Sequence, residues 1–417
     1  MFFSEKDKAV VRSLACRYSE IAFSPENERS VQLAYNANDL KGGRPFVAVD
    51  ELPWVELETD SELSLECEND FARGAERFFR REIYCFRHFP TNRIFRKYYA
   101  VGKSFDREGW GVGEQADILE TEKGNNIVSH RYHDIFKNEE DIFKIKPITV
   151  TPRPDVDECN MNMALDLLGD SFDVRLTGQG YIYIAPWDQI VRMHTVENTF
   201  MDFYDRPEFM HALMQRYVDI QTDFLEQLEK YNLLDSHDVL TSLHCTAPFT
   251  SKLSHSGDKT CFVLKDIWIR CTAQSLGSCS PEMYNEFEIE HMAPLFSRFG
   301  AVYYGCCEPL ERVIPYLRKY PNMRKVGCSP FADVESCAEQ VGKDYTLSRK
   351  PNPSFLSGGF SEDIIRKEIT ETAEICNKYG CSYDYVLKDI STVGHCPERL
   401  SIWAKTVNNV LDSVYGN

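Results

Sequence analysis

The sequence predicts an α/β fold, specifically a (β/α)8 barrel with an N-terminal elaboration, and three observations lead to this prediction. From about residue 170 onward, short apolar runs alternate with amphipathic helical stretches. Six of these runs, most of them separated by one helical pattern, correspond to the later units of a parallel barrel. No GxGxxG or GxxxxGKS motif follows any of them, which argues against a doubly wound nucleotide-binding sheet.

Residues 1–150 are predicted to form the N-terminal elaboration together with the first strand of the barrel. Helical patterns occupy roughly 5–22 and 62–88, and the apolar run PFVAVDELPW at 45–54 predicts a buried strand that ends in an acidic loop. The stretch 90–150 carries the turn signals REGWGVGE and EKGNN, which predict an irregular or β-rich insertion over one end of the barrel.

Residues 151–417 are predicted to form the main part of the barrel. DVRLTGQGYIYIAP is strand-like, and two helical stretches follow it, VENTFMDFYD and a longer one that begins at Pro207, where a missing N–H costs nothing. A final helix is predicted near 397–414. The six later strand candidates are DVLTSLHC, LKDIWIRC, GAVYYGCCE, RKVGCSP, DYTLSRKP and YDYVLKDIS.

Composition excludes several classes of function. Lys plus Arg (47) against Asp plus Glu (65) gives a net charge of −18, which disfavours binding to nucleic acid or to an anionic membrane. The sequence contains no apolar run of the length a membrane span needs, and MFFSEKDKAVVRS lacks the pattern of a secretory signal. Fifteen cysteines, scattered along the chain, fit free thiols in a reducing compartment, so a cytoplasmic location is expected, and an oligomer is compatible with the sequence.

Polar residues follow the predicted strands, and the carboxyl ends of barrel strands are where active sites are built. We therefore predict a cup of thiols, carboxylates and cations at this end of the barrel. Lys350, Asp389 and Arg270 are the candidate catalytic residues. The candidates for substrate binding are Asp50, Arg349, His244 and Asp333, and the candidate metal ligands are Cys306, Cys307 and Glu308.

A metal site is one interpretation of the thiols, because zinc accepts thiolate, imidazole and carboxylate ligands together. Cys306 or Cys307 with Glu308 would form its core, completed by His244 or Asp389. If the strand continues, alternation places Cys306 and Glu308 on one face and Cys307 on the other. The alternative is that both cysteines are small buried apolar residues.

The cations and the last acidic residue also have two interpretations. Arg349 and Lys350 begin the segment RKPNP, whose two prolines fix the loop just after a strand and so hold these cations at a defined place. They could anchor a substrate carboxylate or phosphate, or they could form structural ion pairs. Asp389 follows an apolar strand, so its charge must be paired or functional if it points inward.

Several motifs resemble the uroporphyrinogen decarboxylase-like proteins, a (β/α)8 superfamily that includes the corrinoid-dependent methyltransferases. The likeness covers nearly the whole chain. It is carried by RPFVAVDELPW, KDIW, SPEMYNEF, YYGCCEPL, SPFADVE, SRKPNP and LKDIST.

This resemblance implies a methyltransferase that moves a methyl group between a small-molecule substrate, or a thiol acceptor, and a corrinoid carried by a partner protein. Methyltransferases of the family bind zinc through a His-x-Cys on one late strand and a Cys on the last. Here Tyr304 stands at the histidine position and Asp389 at the last cysteine, so the implied ligands are Cys306 or Cys307, Glu308 and Asp389. Lys350 or Arg270 would anchor an anionic group of the substrate.

Two further functions remain open at the level of sequence. Decarboxylation of a tetrapyrrole-like substrate is one, although the arginine-rich N-terminal loop of true uroporphyrinogen decarboxylases is absent from this sequence. The other is a non-catalytic barrel that binds a corrinoid or a tetrapyrrole, because one barrel fold hosts many functions.

Overall fold

A computed structural model describes residues 2–119 and 128–416 of the chain, so the EKGNN turn signal lies outside the described residues. The strands are β1 (Phe46–Val49), β2 (Tyr99–Gly102), β3 (Phe105–Trp110), β4 (Ala116–Leu119), β5 (Ser129–Tyr132), β6 (Lys146–Pro152), β7 (Val174–Thr177), β8 (Tyr181–Ile184), β9 (Trp268–Cys271), β10 (Ala301–Tyr304), β11 (Met323–Cys328), β12 (Thr346–Arg349) and β13 (Ser382–Leu387). The helices are α1 (Glu5–Ala22), α2 (Pro25–Asn38), α3 (Trp54–Leu57), α4 (Asp70–His88), α5 (Pro154–Leu168), α6 (Pro186–His194), α7 (Val196–Asp205), α8 (Pro207–Lys230), α9 (Pro281–Tyr284), α10 (Glu290–Arg298), α11 (Ile314–Leu317), α12 (Val334–Val341), α13 (Glu362–Tyr379) and α14 (Glu398–Tyr415).

A curled, seven-stranded parallel sheet forms the centre of the protein, in the order β1-β13-β12-β11-β10-β9-β8. Five of the six later strand predictions are confirmed as β9 to β13, and the early apolar run is confirmed as β1. DVRLTGQGYIYIAP forms two strands, β7 and β8, instead of one. Only β8 joins the central sheet, because β7 pairs with β2.

The predicted closed barrel of eight strands is not formed by the described residues, because the edge strands β8 and β1 do not pair with each other. DVLTSLHC, predicted as a strand, is irregular here. Its Leu243 N–H donates to the Thr246 carbonyl at 2.6 Å, which closes a tight turn, and both intervening residues, His244 and Cys245, have positive φ. This turn contacts both edges of the sheet, since His244 stacks on Tyr183 of β8 and the Cys245 N–H donates to Asp50 after β1.

The interior of the sheet is polar and tightly hydrogen-bonded. Asp384 of β13, which is 1% exposed, accepts from Lys325 of β11 at 2.7 Å. It also accepts from Ser348 of β12 and from Thr246 of the irregular segment, both at 2.6 Å. A buried charge is tolerated when it is paired and hydrogen-bonded in this way. These contacts tie the segment 241–246 to the inner face of the curled sheet.

Apolar residues on the outer face of the sheet pack against the surrounding helices. Tyr385 of β13 stacks on Trp403 of α14, for example, with ring centroids 5.9 Å apart. The predicted long helices are confirmed, including the start of α8 at Pro207. The second predicted helix begins later than expected, at Asp70, because the Asn69 side chain caps it by accepting from the N–H groups of Phe71 and Ala72.

The N-terminal elaboration has a core of its own. Helices α1, α4 and α5 pack together around Tyr18, which is 1% exposed and makes edge contacts with Phe79 and Phe172. The segment predicted as an irregular or β-rich insertion contains short paired strands, β3 with β6 and β4 with β5. Within residues 2–119 and 128–416, no helix is both long enough and apolar enough to cross a bilayer.

Candidate functional site

The candidate site lies at the carboxyl ends of the parallel strands, where the sequence places it. β10 ends at Tyr304, and Gly305 then turns the chain with φ of +103°. A side chain at Gly305 would be strained because L residues rarely adopt this φ, and its Cβ would also displace the Leu310 side chain, which would lie 2.3 Å away. This turn directs Cys306 and Cys307 into the mouth of the barrel.

Lys388, which follows β13, is the cation that contacts both thiols. Its Nζ lies 3.2 Å from the Cys306 Sγ and 3.3 Å from the Cys307 Sγ, and it also donates to the Asp389 carboxylate. The Cys307 Sγ lies 3.2 Å from Asp389 Oδ2 and 3.7 Å from the Cys306 Sγ, so both of these groups are acceptors for its single proton. The Lys388 side chain is 3% exposed, so its charge is scarcely screened by water.

Arg270 of β9 supplies a second buried cation. It is 0% exposed, and its guanidinium lies between the rings of Tyr183 and Tyr303, 5.1 and 5.0 Å from their centroids. One nitrogen donates to the Gly305 carbonyl at 3.3 Å, while Nε and Nη1 have no partner within the described residues. Arg270 forms no ion pair with a carboxylate in that part of the chain, so an anionic group beside it would be strongly favoured.

These neighbours make Cys306 the natural anion of the site. The hydrogen bond from Cys307 lowers the pKa of the Cys306 thiol well below its usual value, and His244, Arg270 and Lys388 act in the same direction against the effect of burial. The proton of the cysteine pair is therefore favoured on Cys307, because the same hydrogen bond and burial raise the pKa of the Cys307 thiol. These contacts favour the thiolate form of Cys306, which is the nucleophilic form of cysteine.

Lys350 lies deeper than the cup. It is 0% exposed, and its Nζ donates to the Cys245 carbonyl at 2.7 Å and to Ser348 Oγ at 2.8 Å, with Asp384 at 3.8 Å. These contacts use the cation to hold the turn at Cys245 on the inner face of the barrel. Lys350 therefore supports the floor of the site.

The loop after β1 and the turn at 244–245 form the other wall of the cup. Asp50 accepts from the Cys245 N–H at 3.0 Å and from Ser242 Oγ at 3.2 Å, which fixes the turn. Glu51 accepts from the Asp389 N–H at 3.0 Å, and His244 Nε2 lies 3.8 Å from Glu51 Oε1. This wall therefore links the ends of β1 and β13 through hydrogen bonds.

The backbone is strained where these walls meet. Glu51, His244, Cys245 and Asp389 all have positive φ, with values of 50°, 41°, 67° and 55°. Each such conformation costs a non-glycine residue roughly 1–3 kcal/mol, and conformations of this kind cluster at functional sites. The concentration of four around one cup supports its assignment as the candidate site.

Three predicted site residues lie outside the cup. Glu308 is buried against Thr272, whose hydroxyl donates to it at 2.7 Å, because the strand ends at Tyr304 and strand alternation no longer applies. Arg349 lies in the layer between sheet and helices, where it donates to Glu368 of α13 at 2.8 Å. Asp333 caps α12 by accepting from the Ser336 N–H at 3.0 Å.

The arrangement of Cys306, Cys307 and Glu308 does not fit a metal ion. The Glu308 carboxylate accepts from Thr272 and from the Cys306 N–H at 2.9 Å, so both its oxygens are engaged away from the sulfur atoms. The Lys388 ammonium lies within 3.3 Å of both thiols, in the place where a metal ion would have to lie.

An open cavity of about 300 Å³ leads to the cup. Its lining includes Cys307, Asp389, Phe331, Asn352 and Thr392, and the Phe331 ring is 75% exposed at its rim. A larger cavity, of about 760 Å³, lies elsewhere and includes none of the predicted site residues in its lining. The smaller cavity is therefore the approach by which a small molecule would reach the thiols.

Two contributors to the site were missed at the level of sequence. Tyr183, whose ring contacts both Arg270 and His244, lies in an apolar strand and carries no local signal of function. Asp384, which organises the interior beneath the cup, had a signal, since a carboxylate in the middle of SYDYVL must be paired if the strand is buried on both faces.

Comparisons with known proteins give little further information. No protein-family model matches the sequence, and none of the curated proteins searched matches it. Among solved structures, the chain is similar to a methyltransferase from Methanosarcina mazei, with 12% sequence identity, a TM-score of 0.49, and coverage of 93% of this chain and 99% of that chain. A likeness this distant carries no information about function, which must come from the geometry of the site.

Proposed function

We propose that the protein is a methyltransferase-like enzyme in which the Cys306 thiolate is the nucleophile that accepts the methyl group. The observation that carries this proposal is the position of the buried Cys306 Sγ, which lies 3.2 Å from Lys388 Nζ and beside the Arg270 guanidinium. Within the described residues, this guanidinium forms no ion pair with a carboxylate. Two buried cations around one thiol stabilise the thiolate at neutral pH. A buried cysteine with a purely structural role would need neither of them.

The transfer step is a displacement at the methyl carbon. The sulfur of Cys306 would donate an electron pair to that carbon, so an S–C bond forms while the bond from carbon to its leaving atom breaks, and the leaving atom keeps the electron pair. Charge on the sulfur disappears in this step. Lys388 then remains paired with Asp389, so the cup does not hold an isolated ammonium after transfer.

The substrate would be a small methylated molecule that enters by the cavity at Cys307 and Asp389. Arg270 would bind an anionic group of this molecule once the exposed ring of Tyr183 moves aside, because its Nε and Nη1 have hydrogen-bonding capacity to offer. In the enzymes that the sequence resembles, a corrinoid on a partner protein supplies or takes the methyl group. We propose the same carrier here.

The test uses free methylcobalamin in place of the partner. The full-length protein is incubated with it, loss of the methylcobalamin absorbance is followed, and the cysteine peptides are analysed by mass spectrometry. We expect one added methyl group on Cys306, no transfer in the Cys306→Ser variant, and transfer in the exposed-cysteine control Cys261→Ser. Methylcobalamin consumption that Cys306→Ser leaves unchanged would refute the proposal.

A decarboxylase is the second candidate, favoured by the same unpartnered nitrogens of Arg270, which could bind a substrate carboxylate. Release of carbon dioxide from uroporphyrinogen, lost in Arg270→Met but retained in Cys306→Ser, would favour this candidate over methyl transfer. The absence of any release would leave methyl transfer as the better proposal.

A further inference from the structure

We infer that Glu51, His244 and Cys245 form a binding site for a thiophilic divalent cation such as Zn²⁺, separate from the Cys306–Cys307 pair. One donor atom from each lies within 4.8 Å of the other two. Carboxylate, imidazole and thiolate are all zinc ligands, and three protein ligands with one open position is the arrangement of a catalytic zinc site. This inference goes beyond the proposed function and does not depend on it.

One of the donor distances already approaches that of a zinc site, and the others need a contraction from within 4.8 Å. Ligand atoms around a tetrahedral zinc ion lie about 3.5 Å apart, given metal–ligand bonds of roughly 2.0–2.3 Å. His244 Nε2 and Glu51 Oε1 are already 3.8 Å apart. The three residues come from two loops that hydrogen bonds hold in place, since Asp50 binds the Cys245 N–H and Lys350 binds the Cys245 carbonyl.

The backbone of Cys245 is held by hydrogen bonds, whereas its thiol has no hydrogen-bond partner within the described residues. The residue is 1% exposed, and within the described residues its Sγ forms no hydrogen bond, although both of its backbone groups do. Its backbone has a φ of 67° and that of His244 a φ of 41°, so the turn holds these two consecutive side chains in a conformation that a free loop would avoid. A ligand bound by both side chains would offset that cost.

The local charges also favour a cation. Lys388 pairs with Asp389, and the Asp50 carboxylate is satisfied by the turn, which leaves Glu51 with the Asp389 N–H and the more distant His244 ring. A divalent ion would supply the missing positive charge.

The experiment is a titration of the full-length protein with Co²⁺, followed by competition with Zn²⁺. Thiolate coordination gives an intense near-ultraviolet charge-transfer absorption, which is independent of catalytic activity. We expect one equivalent of Co²⁺ to produce this absorption in the wild type, in Cys306→Ser and in the exposed-cysteine control Cys261→Ser, and we expect Cys245→Ser to lose it.

Absorption that disappears in Cys306→Ser but persists in Cys245→Ser would overturn the inference, and so would the absence of binding in the wild type. If Cys245→Ser does not fold, the exposed loop residue Glu51 provides the decisive variant. Glu51→Gln should weaken the metal affinity at least tenfold, and an unchanged affinity would overturn the inference. The methylation of Cys306 is a separate readout, so failure of this site and failure of the proposed function can be told apart.

Discussion

Replacing Lys388 by methionine should raise the pKa of the Cys306 thiol. The Nζ of Lys388 lies 3.2 Å from the Cys306 Sγ, and its side chain is 3% exposed. At an effective dielectric constant of about 20, two unit charges at this distance attract each other by about 5 kcal/mol. The cost of burying the ammonium offsets part of this attraction, so we expect a net increase of roughly 1–3 pKa units, or about 1.4–4 kcal/mol.

The assay is a pH titration of the thiolate ultraviolet absorbance, with Cys306→Ser measured in each background to isolate the contribution of Cys306. Lys388→Arg keeps the charge and should retain most of the depression of the pKa. Lys367→Met, at a position that is 76% exposed on α13, is the matched control and should leave the titration unchanged. A Cys306 titration that is the same in Lys388→Met and in the wild type would refute the electrostatic account of the site.

Two further predictions concern stability. Asp384→Asn should lower the free energy of unfolding by roughly 3–5 kcal/mol, because it leaves the buried Lys325 without its charge partner. In the same denaturant titration, the control Asp344→Asn, at an exposed position, should change the free energy of unfolding by no more than about 0.5 kcal/mol. A loss below about 1 kcal/mol for Asp384→Asn would contradict the hydrogen-bond network assigned to Asp384. Glu288 is 0% exposed, and one of its carboxylate oxygens has no partner within the described residues. Burial raises the pKa of Glu288 in the folded state well above its value in the unfolded chain. The free energy of unfolding therefore falls as the pH rises above the unfolded-state pKa. Glu288→Gln should therefore raise the melting temperature at pH 8, and this gain should shrink toward pH 4. The control Glu286→Gln, at an exposed position, should leave the melting temperature unchanged. A gain for Glu288→Gln that is independent of pH would contradict this reasoning.

The sequence was most informative for the later strands of the central sheet. Strands β9 to β13 were predictable because each is a short segment, buried on both faces, and most are separated from the next by a helical pattern. DVLTSLHC has the same appearance but forms a turn, since the hydrogen bond from Cys245 to Asp50 joins positions 195 residues apart. No local pattern could predict that contact.

The strand order indicates where the candidate site lies, but not its detailed arrangement. The rule that polar residues at strand ends form the site points to the region of Cys306 and Asp389, where the structure brings two thiols, a carboxylate and a lysine together. It could not show that β10 ends at Tyr304, which turns the Glu308 carboxylate toward Thr272. Nor could it show that Lys388 lies between the two thiols, because that contact depends on side-chain directions after both strands have ended.

The two cations at the end of β12, Arg349 and Lys350, illustrate the same limit. Arg349 and Lys350 are adjacent in sequence and looked equivalent, but they project to opposite sides of the sheet. Arg349 pairs with Glu368 in the helical layer, while Lys350 binds the Cys245 carbonyl inside the barrel. Alternation along a strand predicts that neighbours face opposite ways, yet only the packed structure shows which of them faces inward.

The most direct test of the nucleophilic thiolate is the rate at which each of the fifteen cysteines is methylated by methyl iodide at pH 6 and at pH 8, resolved by peptide mass spectrometry. A thiolate at Cys306 predicts that this residue reacts fastest at pH 6 and at nearly the same rate at pH 8. The exposed Cys261 is the reference for a surface thiol in the same experiment. A Cys306 that reacts no faster than Cys261 at pH 6, or that reacts many times more slowly at pH 6 than at pH 8, would contradict the central claim that the candidate site holds a nucleophilic thiolate.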